Sequence, residues 1–146
     1  MRAYEFRHRV GFEETSLVGN VYFVNHLKWQ GRCRELFLRE HAPELLDELA
    51  NGLALVTTRC ACEYLGEIFA FDEILVRMSL AGLAQNRMDL HFDYVRVKDG
   101  AETLIARGDQ QVVVMRKDGE RMVAEAVPAR LREALLPYRE APSTNP

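Results

Sequence analysis

The sequence predicts an α+β domain in which a five-stranded antiparallel sheet wraps one long helix. Three observations lead there. From Val21 to Glu40 no proline or paired glycine interrupts the chain, and Trp29, Cys33, Leu36 and Phe37 fall on one apolar helical face. Five other segments carry the period-two or near-continuous apolar pattern of strands. Asp-Gly pairs at Asp99-Gly100 and Asp118-Gly119 mark tight hairpin turns, which makes the sheet mainly antiparallel. A helix with one apolar face needs a sheet to cover it, and a single core suits 146 residues that are 48% hydrophobic and 28% charged.

Each element has its local reason. Ala3 to Phe12 places Tyr4, Phe6, His8 and Val10 on one side of a strand. Ser16, Gly19 and Asn20 then supply turn and cap chemistry ahead of the long helix. That helix is expected from Val21, although Val21, Tyr22, Phe23 and Val24 are strand-formers and packing would have to hold its first turn helical. His41-Ala42-Pro43 ends it. Pro43 opens a short helix that Gly52 stops, with Leu45, Leu46 and Leu49 on its buried side. Strands follow at Leu53 to Tyr64, Ile74 to Leu83, Gln85 to Val97 and Ala101 to Arg116. Pro128 can start a last short helix, and residues 141–146 have the composition of a frayed tail behind a domain of residues 1–140.

One strand, one long helix, a short helix and four more strands is the order of a hotdog fold. Such a sheet leaves an edge strand unpaired, so a homodimer is expected, with a homotetramer as the further assembly. The net charge of −3 and the lack of any long basic run give no reason to expect nucleic acid. No apolar run approaches the roughly 20 residues that span a bilayer. The start of the chain lacks a signal peptide's apolar centre, so the expected location is cytoplasmic. Three cysteines, Cys33, Cys60 and Cys62, are too few and too irregular for a disulfide framework and are expected to be free thiols. Together with His26 they match no zinc spacing, so no metal is expected. Cys33 and His26 as a nucleophile pair would sit about 10 Å apart along the helix. Glu13, Glu14, Glu63 and Glu67 are the carboxylates able to act as a hidden base. Solvated or structural roles are expected for them, least firmly for Glu63, which precedes an aromatic on a strand read as central.

The stretch Glu14-Thr15-Ser16-Leu17-Val18-Gly19-Asn20-Val21-Tyr22, with Asn25-His26-Leu27-Lys28-Trp29 and Arg32-Cys33-Arg34, resembles the acyl-thioesterase hotdog family typified by 4-hydroxybenzoyl-CoA thioesterase. Members of that family show a D-x-x-G-x-V-Y stretch, then N-Y-L and an E-x-x-R helix. The resemblance continues through Cys62-Glu63-Tyr64 and Phe71-Asp72-Glu73-Ile74 and covers nearly all of residues 3 to 132. LVGNVYFVNHLKWQGRCRE and FLREHAP are similar, more closely, to the thioesterases of enediyne polyketide biosynthesis.

Two departures matter. The family's Asp, which activates water or attacks the thioester carbonyl, aligns with Ser16, and the alternative helix carboxylate aligns with Gly31. Enediyne thioesterases resemble this chain in lacking the acid, and rely on a polar residue at the first position and a helix arginine, which maps to Arg34. The resemblance implies an oxyanion donor in the backbone N–H of Phe23, and substrate-binding positions at Asn20, Tyr22, Asn25, Gly31, Glu63 and Tyr64. Each has a plainer alternative: Arg34 as half of a surface ion pair with a nearby Glu, Ser16 as a turn residue, Asn20 and Asn25 as caps. Gly31, in mid-helix, suggests close approach of substrate or a partner helix.

The implied activity is hydrolysis of the thioester that joins a polyene or β-keto polyketide chain to the acyl carrier domain of an enediyne polyketide synthase, with decarboxylation as a possible sequel and no cofactor. Apolar residues of Leu53 to Leu65 and Leu75 to Leu83 can line a channel for such a chain. The alternatives are a short-chain acyl-CoA thioesterase, for which no Gly-rich phosphate loop is present, and a non-catalytic acyl-binding protein. A hotdog dehydratase needs a His paired with an acid, and His26 has none suitably spaced.

Overall fold

Antiparallel strands curl around the long helix α1 (Val24–His41). The computed structural model describes residues 2–140. Strands β1 (Tyr4–Arg9), β2 (Leu53–Tyr64), β3 (Glu73–Leu83), β4 (Arg87–Lys98) and β5 (Ala101–Asp118) lie in the order β1-β3-β4-β5-β2. A short β6 (Arg121–Ala124) pairs with the end of β5. Helix α2 (Glu44–Ala50) follows α1, and α3 (Ala129–Leu135) closes the described chain with a 3-10 turn at Leu136–Tyr138. The frayed tail expected over 141–146 lies outside the described residues. Among the described residues no helix is long and apolar enough to cross a membrane.

The helix buries the face that its spacing predicts: Trp29, Cys33 and Phe37 are all but inaccessible and join Ile74, Met78, Phe92, Tyr94, Val112 and Val114 of the sheet in one core. Alternation on β4 sends Met88, Leu90, Phe92 and Tyr94 inward and leaves Asp89, His91 and Asp93 on the outer side. Asp99 and Gly100 have φ of 52° and 78°, as a two-residue hairpin of mirror-image turn geometry requires.

Several expectations need correction. The helix begins at Val24, not Val21. Val21 instead donates its N–H to the Ile68 carbonyl and forms a bridge with Thr15, so the β-branched first turn follows its own preference. Strand β1 stops at Arg9, because the chain turns at Phe12–Glu14 into a 3-10 turn. Leu46 is 46% exposed, so α2 packs through Leu45 and Leu49 alone of its three leucines. Beyond Gly119, at φ 63°, the chain returns as β6, too short and too exposed to give a periodic signal. Glu63 lies on an edge strand, since β2 pairs with β5 on one side only among the described residues.

Candidate active site

Glu14 organises the approach to α1. Its carboxylate accepts hydrogen bonds from Gly11 N–H (2.9 Å) and Trp29 Nε1–H (2.8 Å) and pairs with His8 Nε2 (2.7 Å). Its carbonyl accepts from Tyr22 N–H and from Asn25 Nδ2–H. Burial opposes ionisation of Glu14, but the Gly11, His8 and Trp29 contacts outweigh it and hold the carboxyl below its usual range. This carboxylate therefore spends its lone pairs on structure. Asn25, held at 2.8 Å from the Glu14 carbonyl, ties the loop to the helix.

The loop so fixed closes on itself. Ser16 Oγ donates to Asn20 Oδ1 (2.7 Å), Ser16 N–H donates to the Asn20 carbonyl, and Gly19 takes the positive φ of 93° that the turn requires. Ser16, Tyr22, Leu17 and Val18 line an open depression of about 920 Å³, and Leu17 and Val18 are almost wholly exposed. At the helix head the N–H groups of Phe23 and Val24 have no hydrogen-bond partner among the described residues. Free amides at the positive end of a helix dipole are suited to an oxyanion.

Along its sheet-facing side α1 carries polar residues at a spacing of one turn: His26, Gln30 and Arg34. Gln30 Nε2–H donates to the Ala61 carbonyl (3.0 Å), through space that a side chain at Gly108 would occupy. Arg34 Nη1 donates to Gln110 Oε1 (2.8 Å) and to Thr57 Oγ1 (3.0 Å). It is thus no surface ion-pair partner; burial lowers its pKa while Glu35 opposes the shift, and a guanidinium remains a cation throughout. Gln110 and Gln30 escaped the sequence reading because a glutamine at an inward position looks like a surface residue. The one available signal was their register with Arg34 and Gly108.

Not every predicted site residue comes together. From Phe23 to Arg34 the helix climbs about 16 Å, and the Arg34 guanidinium is tethered at Thr57 and Gln110, so within one chain the cation and the Phe23 amide lie apart. Ser16, Asn20, Tyr22 and Phe23 cluster at the helix head. Tyr64 joins them through a hydrogen bond from its Oη–H to the Phe23 carbonyl (2.6 Å). Glu63 faces Arg107 in an exposed pair at 3.6 Å. Gly31 opens onto a groove of about 430 Å³ between β1 and α1, and a Cβ there would meet nothing within 4 Å. Cys33, Cys60 and Cys62 are free, and burial pushes the Cys33 thiol up to about 12, which leaves it a poor nucleophile.

Residues 10–135 match the thioesterase-like superfamily. The chain belongs to that superfamily, has its hotdog fold, and shares its chemistry of thioester hydrolysis. Among solved structures it is similar to the dynemicin thioesterase, described as showing induced-fit and allosteric effects upon polyene binding. The two are 50% identical over 96% of this chain and 99% of that one, with a TM-score of 0.93. The 4-hydroxybenzoyl-CoA thioesterase of Pseudomonas sp. strain CBS-3 shares the fold at 21% identity, covering 92% and 99% of the two chains with a TM-score of 0.77. No curated protein matches.

Proposed function

We propose that this thioesterase acts in the cytoplasm on a polyene or β-oxo polyketide chain carried by the acyl carrier domain of an enediyne polyketide synthase. The observation that carries the reading is the pair of open amides at the head of α1, beside an apolar depression. Water adds to the thioester carbonyl carbon, and the carbonyl oxygen takes the negative charge against Phe23 N–H. The carbon–sulfur bond then breaks, and the carrier thiolate leaves with a proton. One such donor is worth ~3 kcal/mol in the transition state. Ser16 Oγ, whose proton is engaged by Asn20 and which accepts from Val18 N–H (3.3 Å), keeps one lone pair to orient the water.

Arg34 holds the oxyanion formed when water adds to the thioester, and then the carboxylate or enolate that a β-oxo acid presents as it loses CO₂. With only Nη1 tethered to the sheet, the rest of its fork can serve a ligand. Because the helix climb separates it from its own Phe23, it works on the thioester bound to a second copy, in a homodimer joined at the free edge of β2 with the two α1 helices antiparallel. The dynemicin thioesterase, 50% identical and described as binding a polyene, supports the substrate class. Incubation with a β-oxo acyl chain loaded on a carrier domain, followed by mass detection of the acid or its methyl ketone, tests the reading. Release no faster than the uncatalysed rate overturns it in favour of a non-catalytic acyl-binding protein.

A further inference from the structure

Three buried polar atoms on α1 have no hydrogen-bond partner among the described residues: Nδ1 and Nε2 of His26, and Oε1 of Gln30. His26 is 3% exposed and Gln30 0%, so bulk solvent does not serve them. Buried groups left in this state lower stability, and what completes them is an ordered water or a ligand. Their neighbours are already engaged. Gln30 Nε2–H donates to Ala61, and Tyr94 Oη–H donates to the His26 carbonyl at 2.7 Å. Trp29, Tyr64 and Tyr94 supply ring faces and edges around the imidazole, with centroids 4.7 to 5.6 Å away. Burial lowers the His26 pKa; the Phe23 carbonyl lies near enough to oppose the shift but outside hydrogen-bonding geometry with either ring nitrogen, so the ring is neutral and offers one N–H donor and one acceptor nitrogen.

We propose that His26 and Gln30 form a subsite for an oxygen on the acyl chain, the β-oxygen of the thioester, presented as a hydroxyl or as the enol of a β-oxo chain. A hydroxyl accepts from the imidazole N–H and donates to Gln30 Oε1, and so satisfies both residues at once. Their spacing of one helical turn puts their Cβ atoms about 5 to 6 Å apart, the span one oxygen can bridge. His26 also follows Phe23 by a single turn, which places the subsite next to the amide that receives the thioester oxygen. Access runs past Tyr64. Tyr64 is 44% exposed, its ring packs edge-on against His26, and its hydroxyl donates to the Phe23 carbonyl. Turning it outward uncovers the imidazole.

This inference rests on the thioesterase reading, and the experiment separates the two. The kcat/KM values for the β-hydroxydodecanoyl and dodecanoyl thioesters of N-acetylcysteamine are measured, each divided by its uncatalysed rate. The intact protein should favour the β-hydroxy ester by on the order of a hundredfold, the cost of leaving a buried donor and acceptor unpaired when the oxygen is missing. In His26→Phe the preference should fall to within a few fold, while Tm stays level or rises because an unpaired buried polar group has gone. Equal turnover of both esters by the intact protein leaves the thioesterase reading standing and overturns the subsite. So does a His26→Phe protein with lowered Tm and unchanged preference. Hydrolysis of neither ester, with no release from the carrier-loaded chain either, overturns both.

Discussion

Glu14 and Arg34 are both charged side chains removed from the surface, and they do different work. Glu14 is held by fixed donors from three directions. Glu14→Gln keeps one acceptor but turns an amide N–H toward a donor, and should cost about 2 kcal/mol at neutral pH. The pH dependence follows from the sign of the shift. With its folded pKa depressed, Glu14 stabilises fully above its unfolded pKa and loses that contribution as pH falls through the folded one. The Tm gap between the two proteins should therefore be widest near neutrality and close in acid below the usual carboxyl range. A gap independent of pH would remove the carboxylate from the explanation. Arg34 should show its effect in turnover. Arg34→Ala should lower kcat by tens- to several hundred-fold, ~2 to 4 kcal/mol, and Arg34→Lys should recover only part, since an ammonium lacks the planar fork. Unchanged kcat in a well-folded Arg34→Ala protein returns Arg34 to a tie between helix and sheet. A structural role for Glu14 was expected, but the partners of neither residue were legible locally: the donors of Glu14 include Trp29, fifteen residues on, and Arg34 reaches β5.

At the scale of elements, most of the fold was legible because local and tertiary preferences agree. Asp99-Gly100 needs positive φ and takes it; Trp29, Cys33 and Phe37 need burial and receive it. Legibility failed where they part, at Val21 to Phe23, and where an element is too short for a period, at β6. A third failure is the packing of α1 on the sheet through Gln30. The glycine of β5 at position 108 exists for that contact: a Cβ there would lie 2.2 Å from Gln30 Nε2 and 3.1 Å from the Ala61 carbonyl. Gly108→Ala should thus dislodge Gln30 from Ala61 and destabilise the fold by about 1 to 3 kcal/mol. The same substitution in a Gln30→Ala background should cost clearly less, since the clashing group is gone. Additive losses in the double-mutant cycle, read from chemical unfolding, would separate the two residues.

The whole molecule raises the question of how an oxyanion donor and a cation about 16 Å apart along one helix serve one reaction. The site shared between two copies proposed above would answer it, and that proposal can be tested without a structure of the assembly. Phe23 has φ −56° and no hydrogen bond from its N–H among the described residues, so Phe23→Pro deletes the donor at a position whose backbone already suits proline. Phe23→Pro and Arg34→Ala should each be nearly inactive alone. Unfolded and refolded together, they should form hybrids that hold one site with both defects and one with neither, so activity should return to about a quarter of the unmutated level: half of random pairs are hybrids, and each has half its sites intact. If the amide and the cation instead acted within one chain, every site in the mixture would carry one defect or the other. Mixing would then restore nothing, and Arg34 would belong to the far end of its own acyl channel.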